Sequence, residues 1–396
     1  MRERESRHFN DESTSIQSYN WAKVKNNWDP MYTGVYRDNE LVATGLVLIK
    51  RLPLSFCMYY LPRGPIMDYK DKELVQYYFD QLKKIAKKDH CIFIKFDPAI
   101  HVNDYDSKSY NTNRYEDTDT YLEIFKSCKA IHHGYTMSIA DTVQPRFQSN
   151  VYSYENIEET LPKHTKRLIK DADRRNVQII HGQGELLDEF SRLVELTESR
   201  KGVALRDKEY FKTLLENYPE GSVIFLATCN VYQLDKEEKE KKVQLEKEMA
   251  ATPENAKKKL HRLEDQLRSV DKDIKEFKEI FSEFGQEDKE IAIAGILSIQ
   301  YGNTCEMLYA GMDERFKKFM PQYKEYVENF KWAFDRGCLW SNMGGVEGSL
   351  DDGLTKFKDN FNPTINELIG EFDIPVYPFM DRLTQKAYEI LKSKHK

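Results

Sequence analysis

Between Trp340 and Phe361 the chain reads WSNMGGVEGSLDDGLTKFKDNF, an apolar strand running into glycines and then lysines. Gly344-Gly345, Gly348 and Gly353 let backbone approach a ligand closely or take positive φ. Lys356 and Lys358 follow among Leu354, Phe357 and Phe361. Backbone N–H and ammonium groups so arranged suit an anion or a developing oxyanion. A plain turn into a surface helix has the same spacing, so the stretch alone does not decide. A second set pairs cations with aromatics: Lys25 with Trp28, Arg206 with Tyr210, and Lys358 between two phenylalanines, with Arg63 in a Pro-Arg-Gly-Pro turn. Arg206 and Tyr210 are four apart at a helix start and share a face. Lysine and arginine that grip a diphosphate, with aromatics against a sugar, use such a set. Taken singly, each is an ordinary surface or core-edge residue.

Other chemistries lack their residues. There is no Walker loop, no strand-anchored GxGxxG, no HExxH and no GxSxG. His132-His133 and His181 have no carboxylate or cysteine at metal spacing, and no His–Asp pair stands out as a base. Gly182-Gln183-Gly184 precedes a helix but lacks the length and the basic residue of a pyrophosphate loop. The six cysteines are scattered, which fits a reduced protein without structural zinc. Net charge is −6, from 60 basic and 66 acidic residues, so a nucleic-acid site must be a local patch. The polar start, MRERESRHFNDESTS, has no signal-peptide core. No apolar run reaches membrane-span length, so membrane association is expected to be peripheral.

The elements that must position these residues follow from periodicity. With 396 residues the chain suits two domains. Residues 1–15 are expected to be loose. A helix is expected over 16–28, a hairpin around 37–40, and a strand 55–61 ended by Pro62. Helix 73–88 follows, with Leu74, Tyr77, Tyr78, Leu82 and Ile85 inward, then strand 91–96 stopped by Asp97-Pro98. Next come a loop 101–120, helix 121–130, strand 135–140 and a linker near Gln144-Pro145. The second half opens with helix 157–176, whose Lys163, Lys166, Arg167, Lys170, Arg174 and Arg175 form a basic stripe. Strands 222–231 and 291–301 flank a charged insertion, 234–285. Its Leu260, Leu263, Leu267, Val270, Ile274 and Phe277 form a heptad seam, and Thr252-Pro253 suits the tip between two antiparallel helices. The second helix, about 30 residues, would be on the order of 45 Å long. Strand 305–310, helix 321–336, strand 338–342 and a last strand 365–374 complete the chain. The halves share an order, so the expected fold class is α+β, mixed α/β. It has two N-acetyltransferase-like (GNAT) domains and an antiparallel coiled-coil arm inserted in the second.

These segments also carry a resemblance. The stretches IQSYNWAKVKNNW, YYLPRGPIMDYKDKEL, FIKFDP, TVQPRFQ, TESRKGVALRDKEYF, AGILSIQYG, MLYAGMDERF and NMGGVEGSLDDGLTKFKDNF with IGEFDIPV span nearly the whole chain. In that order they resemble the FemABX family of non-ribosomal peptidyl transferases, and within it the MurM branch. The resemblance implies transfer of L-Ala or L-Ser from aminoacyl-tRNA to the stem-peptide lysine ε-amine of lipid II, or of the UDP-MurNAc-pentapeptide precursor. It implies no cofactor, aminoacyl-tRNA being a co-substrate. It also implies a monomer in the cytoplasm, in peripheral contact with the inner face of the membrane. Residues 1–145 with 360–396 would form the precursor-binding domain, and 146–359 the second. By the same resemblance Lys25, Trp28, Arg206, Tyr210 and Tyr309 bind precursor, and Arg63 is placed with them by its charge. Lys358 steadies transition-state charge, and Asp97 is a lower-ranked base. Lys166, Arg167, Lys170 and Arg174, with the arm, are candidate tRNA contacts by their charge. A CoA-dependent N-acyltransferase and a non-catalytic coiled-coil scaffold of cell-wall synthesis stay open as other readings.

Overall fold

The computed structural model describes residues 14–106, 112–152, 157–202 and 206–377. Of the expected loose start, 1–15, all but Thr14 and Ser15 lies outside them. The first half runs α1 (Tyr19–Val24), β1 (Asp29–Arg37), β2 (Glu40–Arg51), β3 (Cys57–Leu61), β4 (Ile66–Met67), α2 (Lys72–Lys88) and β5 (Cys91–Phe96). It continues with β6 (His101–Asp106), β7 (Thr112–Arg114), α3 (Thr118–Ser127), β8 (Ile131–His132) and β9 (Phe147–Tyr152). The second half runs α4 (Ile157–Thr160), α5 (Lys163–Arg174), β10 (Gln178–Gly182), α6 (Leu187–Lys201), α7 (Lys208–Asn217) and β11 (Ser222–Cys229). Next come α8 (Val231–Ala251), α9 (Lys257–Phe284), β12 (Ile291–Tyr301), β13 (Thr304–Met312) and α10 (Pro321–Asp335). The chain ends with β14 (Trp340–Val346), α11 (Gly353–Asp359), β15 (Thr364–Leu368) and β16 (Phe372–Pro375).

One sheet has the order β1-β2-β3-β5-β16-β8, with β4 on β2; the other is β10-β11-β12-β13-β14-β9-β15-β6-β7. The same unit recurs in both. β2 and β3 are antiparallel, α2 crosses over, and β5 returns parallel to β3. Likewise β12 and β13 are antiparallel, α10 crosses over, and β14 returns parallel to β13. The expected pair of GNAT-like units is therefore present. The halves also exchange strands: β16 pairs with β5, while β9 pairs with β14. β15 and the pair β6–β7 lie in the second sheet, although they flank the first half's segments.

Local chemistry explains the crossover helices. The side chain of Asp71 caps α2 by accepting from Leu74 N, and Lys87 and Lys88 sit in its last turn. Its buried face is Leu74, Val75, Tyr78, Phe79, Leu82 and Ala86. The expected inward Tyr77 and Ile85 are exposed, because the sheet selects the neighbouring stripe. Four further expectations change. Helix 157–176 breaks at Leu161-Pro162 into α4 and α5, since proline lacks the N–H that would continue it. The loop over 101–120 contains β6 and β7. The strand expected at 135–140 is instead irregular, and β9 starts only at Phe147. The single strand expected at 365–374 turns at Gly370, where φ is +99°, and its two parts enter different sheets. The arm holds its seam. Leu263, Val270, Phe277 and Ile280 are buried along α9, and Lys242–Asp271 (2.5 Å) and Lys259–Glu248 (2.9 Å) bridge the two helices.

Phe372 fixes the exchanged β16. Its ring stacks on Phe96 (5.1 Å) and packs on Phe125 (4.8 Å) and His132 (4.7 Å). It is 1% exposed, so Phe372→Ala leaves a cavity costing about 3–5 kcal/mol. Equilibrium denaturation will measure this as a lower midpoint. An unchanged midpoint would mean that β16 does not hold the first sheet together.

Candidate active site

The segment Ile16-Gln17-Ser18 ties the first sheet to the second half. Ile16 is buried, and Gln17 clamps Leu46 N through Oε1 (2.9 Å) and Pro62 O through Nε2 (2.5 Å). A Cβ at Gly64 would meet the end of the Gln17 side chain at 2.5 Å, so a larger residue there would displace this clamp. The Ser18 hydroxyl lies 2.5 Å from Tyr218 Oη just past α7. These contacts seat the end of α1 against the start of α7.

A pocket of about 440 Å³ opens between them, lined by Trp21, Lys25, Trp28, Tyr60, Lys95, Gln144, Arg206 and Tyr210 among others. Residues 25 and 206, distant in sequence, converge on one ring. Lys25 Nζ donates to Tyr210 Oη (3.3 Å), and Arg206 stands over the Tyr210 ring at 5.1 Å. Burial, and then the nearby Arg206 charge, lower the Lys25 pKa to about 8. Among the described residues neither cation has a carboxylate ion-pair partner. The third cation, Lys95, is compensated by Asp373 (2.9 Å) and Glu371 (3.3 Å). Trp28 lies 6.4 Å from the Tyr60 ring, and Lys50 Nζ stands over the Trp28 ring at 5.5 Å. Two uncompensated cations beside aromatic faces form an anion cradle.

A second pocket, of about 260 Å³, shares Gln144 with the first. It lies where the parallel strands part, since β13 pairs β14 only over Thr304–Glu306. Arg63, His101, Asn150, Tyr152, Glu306, Asn342, Gly344 and Gly345 are in its wall. Gly344 has φ +86°, and a Cβ at Gly345 would strike Pro145 at 2.3 Å. The expected presentation of glycine N–H groups is not what the turn makes. Gly344 N donates to Asn342 Oδ1 (2.7 Å). The stretch instead brings up Lys358, 4% exposed on α11, whose Nζ donates to Gly345 O at 2.9 Å. Asp352 caps α11 by accepting from Leu354 N and Thr355 N, which sets the turn carrying this lysine.

The remaining expected residues divide. Tyr309 packs edge-on against Tyr210 (6.0 Å) and Phe211 (5.0 Å), supporting the cradle rather than lining it. Arg63 lies in the wall of the glycine pocket, not of the cradle. Asp97 lines neither pocket. It accepts from Arg63 N (3.0 Å), and its Oδ2 lies 3.4 Å from the guanidinium. This holds Arg63 at φ +53°. Burial pushes the Asp97 carboxyl up to about 6, partly offset by Arg63. On α5 Arg167 and Arg174 are exposed, while Lys166 and Lys170 line a cleft against α4 and α10; the buried Thr165 hydroxyl donates to Asn360 O at the end of α11. Sequence reading missed Gln144, Glu306 and two histidine–carboxylate pairs. His133 Nε2 is 2.8 Å from Asp373, and His101 Nδ1 is 3.4 Å from Asp104. No His–Asp pair stands out in the sequence because strand pairing creates the first and a short strand segment the second.

Residues 3–391 match the FemAB family. The chain belongs to that family. A lipid II:glycine glycyltransferase of Staphylococcus haemolyticus is 25% identical over 95% of this chain and 93% of the relative. Aminoacyltransferase FemB of Staphylococcus epidermidis is 28% identical over 86% of this chain and 84% of the relative. The crystal structure of FemX matches with a TM-score of 0.72 at 22% identity, covering 97% of this chain and 96% of that one. That likeness carries the fold. The chain is, like its named relatives in the family, an aminoacyltransferase. Among its described residues no helix is long and apolar enough to cross a membrane.

Proposed function

We propose that this FemAB-family enzyme transfers an amino acid from aminoacyl-tRNA to the stem-peptide lysine ε-amine of lipid II, building a branched peptidoglycan cross-bridge. One observation carries the reading: the Lys25–Arg206 cradle and the glycine-walled pocket beside Lys358 share Gln144 in their walls. The cradle suits the diphosphate and first sugar of the acceptor. The second pocket suits the ester and the attacking amine. The resemblance to the MurM branch favours L-Ala or L-Ser as donor; the glycyltransferase among the relatives makes glycine the third donor to try. A lipid-linked acceptor calls for peripheral contact with the membrane, and the soluble UDP-linked precursor is the alternative acceptor. Mixing the protein with lipid II and, separately, alanyl-, seryl- and glycyl-tRNA tests this through the mass of the stem peptide. A gain of one residue names the donor. No gain on either acceptor with any donor would favour the scaffold reading, and saturable acyl-CoA binding would favour the CoA-dependent one.

Two further outcomes follow. Lys25 is charged below its pKa of about 8 and neutral above it. An anionic acceptor therefore binds less well as pH rises through about 8, and KM for lipid II rises there. Lys25→Arg should flatten this limb, because arginine stays charged. A limb identical in both proteins would assign it elsewhere. The second concerns α5. Replacing Lys166, Arg167, Lys170 and Arg174 by alanine should weaken tRNA binding and lower its salt slope by about 0.7–0.9 per lost phosphate contact. KM for lipid II should not move. An unchanged slope would remove α5 from the tRNA surface and leave the arm as the candidate.

A further inference from the structure

Large apolar side chains gather on the hairpin of β1 and β2 and on the helix above it. Tyr19, Tyr32, Tyr36 and Leu41 are 44–68% exposed. They are neighbours. The Tyr19 and Tyr32 rings lie 5.2 Å apart, with Lys23 Nζ over Tyr19 at 4.6 Å. Tyr32, Gly34 and Tyr36 alternate along β1 and point to one face. Leu41 is the cross-strand partner of Tyr36, and both lean over Gly34. A Cβ at Gly34 would stand 3.3 Å from Leu41 and 3.8 Å from the Tyr36 ring. Single exposed residues are ordinary, whereas a contiguous patch marks a surface that something covers. The same sheet face builds the cradle. Tyr32 pairs with Leu46 and Pro30 with Leu48; Leu46 is buried against Trp21, Ala22 and Val24 of α1, and Leu48 is in the cradle wall. Tyr19 begins α1 and Lys25 follows its end. The patch and the cradle therefore lie at the two ends of this six-residue helix, about 9 Å apart.

Resting on the transfer reading above, we propose that the Tyr19–Tyr32–Tyr36–Leu41 patch seats the enzyme on the lipid bilayer that holds its acceptor. In lipid II the diphosphate joins the sugar to the polyprenyl chain. A cradle that grips this diphosphate works at the depth of the lipid headgroups. A surface about one short helix away is within reach of the same layer. Tyrosine suits that depth, because its ring enters the acyl boundary while its hydroxyl stays among the headgroups. Leu41 adds apolar area between the rings. Charge contributes little to the hold. Lys23 and Arg37 around the patch are offset by Asp38 and Glu40 of the turn, and Arg37 is paired with Asp71 at 2.8 Å. The attraction is burial of apolar surface, which does not depend on anionic lipid. A soluble nucleotide-linked acceptor reaches the cradle without this surface, so the patch favours the lipid-linked one.

The test uses the full chain with vesicles of phosphatidylcholine and, separately, of phosphatidylcholine mixed equally with phosphatidylglycerol. The wild type should sediment with both, and high salt should release little of it. Tyr32→Thr, Tyr36→Thr and Leu41→Thr together should lower the partition coefficient about tenfold. Threonine keeps a strand-forming side chain, so the hairpin should hold. With lipid II in the vesicles and whichever charged tRNA supports turnover, kcat/KM of the triple variant should fall by a similar factor. With lipid II cut to a short, water-soluble prenyl chain it should match the wild type, because the cradle is untouched. Vesicle binding that survives the three substitutions would overturn the proposal. So would an equal loss on soluble and vesicle-borne acceptor. Wild-type binding that requires phosphatidylglycerol and vanishes at high salt would overturn it too, as would a patch whose removal only dissolves a dimer of this chain in light scattering. Failure of the wild type to transfer to any acceptor would refute the transfer reading instead, and vesicle sedimentation would still judge the patch.

Discussion

Lys358→Met should lower kcat for aminoacyl transfer by about 10²–10³, the size of loss found when one oxyanion donor is removed, with KM for lipid II unchanged. The argument is geometric. Lys358 is 4% exposed, and its ammonium is aimed by Gly345 O at the glycine wall where the ester is expected to sit. Charge held in place before the reaction costs no reorganisation as the tetrahedral oxyanion forms. Methionine keeps the length of the stem and removes only the donor. The fold should tolerate the change, because an apolar end in a buried site avoids the desolvation cost of the ammonium. A variant that kept kcat and lost only acceptor affinity would reassign Lys358 to binding.

Removing the cradle charges should act on the other parameter. Arg206→Ala takes away a cation held over the Tyr210 ring at 5.1 Å. A hydrogen bond to a charged group contributes about 1.5–3 kcal/mol, so KM should rise about 10- to 100-fold while kcat holds. Adding Lys25→Ala should raise it further, though by less than the product of the single effects, because each cation disfavours the other's charge in the empty pocket. Arg206→Lys should not rescue, since a point charge cannot replace a planar fork on a diphosphate. Stopped-flow or steady-state titration with lipid II checks this, and higher salt should shrink the wild-type advantage.

Both sites were partly legible in the chain. The four-residue spacing of Arg206 and Tyr210 placed them together, as the structure does. That Lys25 would join them came only from the family resemblance, because α1 and α7 meet through Gln17, Ser18 and Tyr218, and none of these advertises a contact across the sequence. The arm was legible because a heptad seam is a local signal, and Phe277 and Ile280 at its base are buried as the seam requires. Strand exchange was not legible from periodicity; the division into 1–145 with 360–396 and 146–359 came from the resemblance, and it did not place β6, β7 and β15 in the second sheet. The Arg63–Asp97 link follows from topology in the same way. Each residue lies just past the end of one of two parallel neighbours, where Leu61 is paired with Phe96. His101 and Asp104 sit only three apart, yet the stretch is rich in Asp, Asn and Tyr and reads as a loop until β15 pairs with it.

The measurement closest to the central claim is kcat and KM for lipid II in the wild type, Arg206→Ala and Lys358→Met, side by side with one charged tRNA. If the cradle binds and the glycine-walled pocket reacts, the two variants lose different parameters, KM for Arg206→Ala and kcat for Lys358→Met. Loss of the same parameter in both, or no transfer by the wild type, would contradict it.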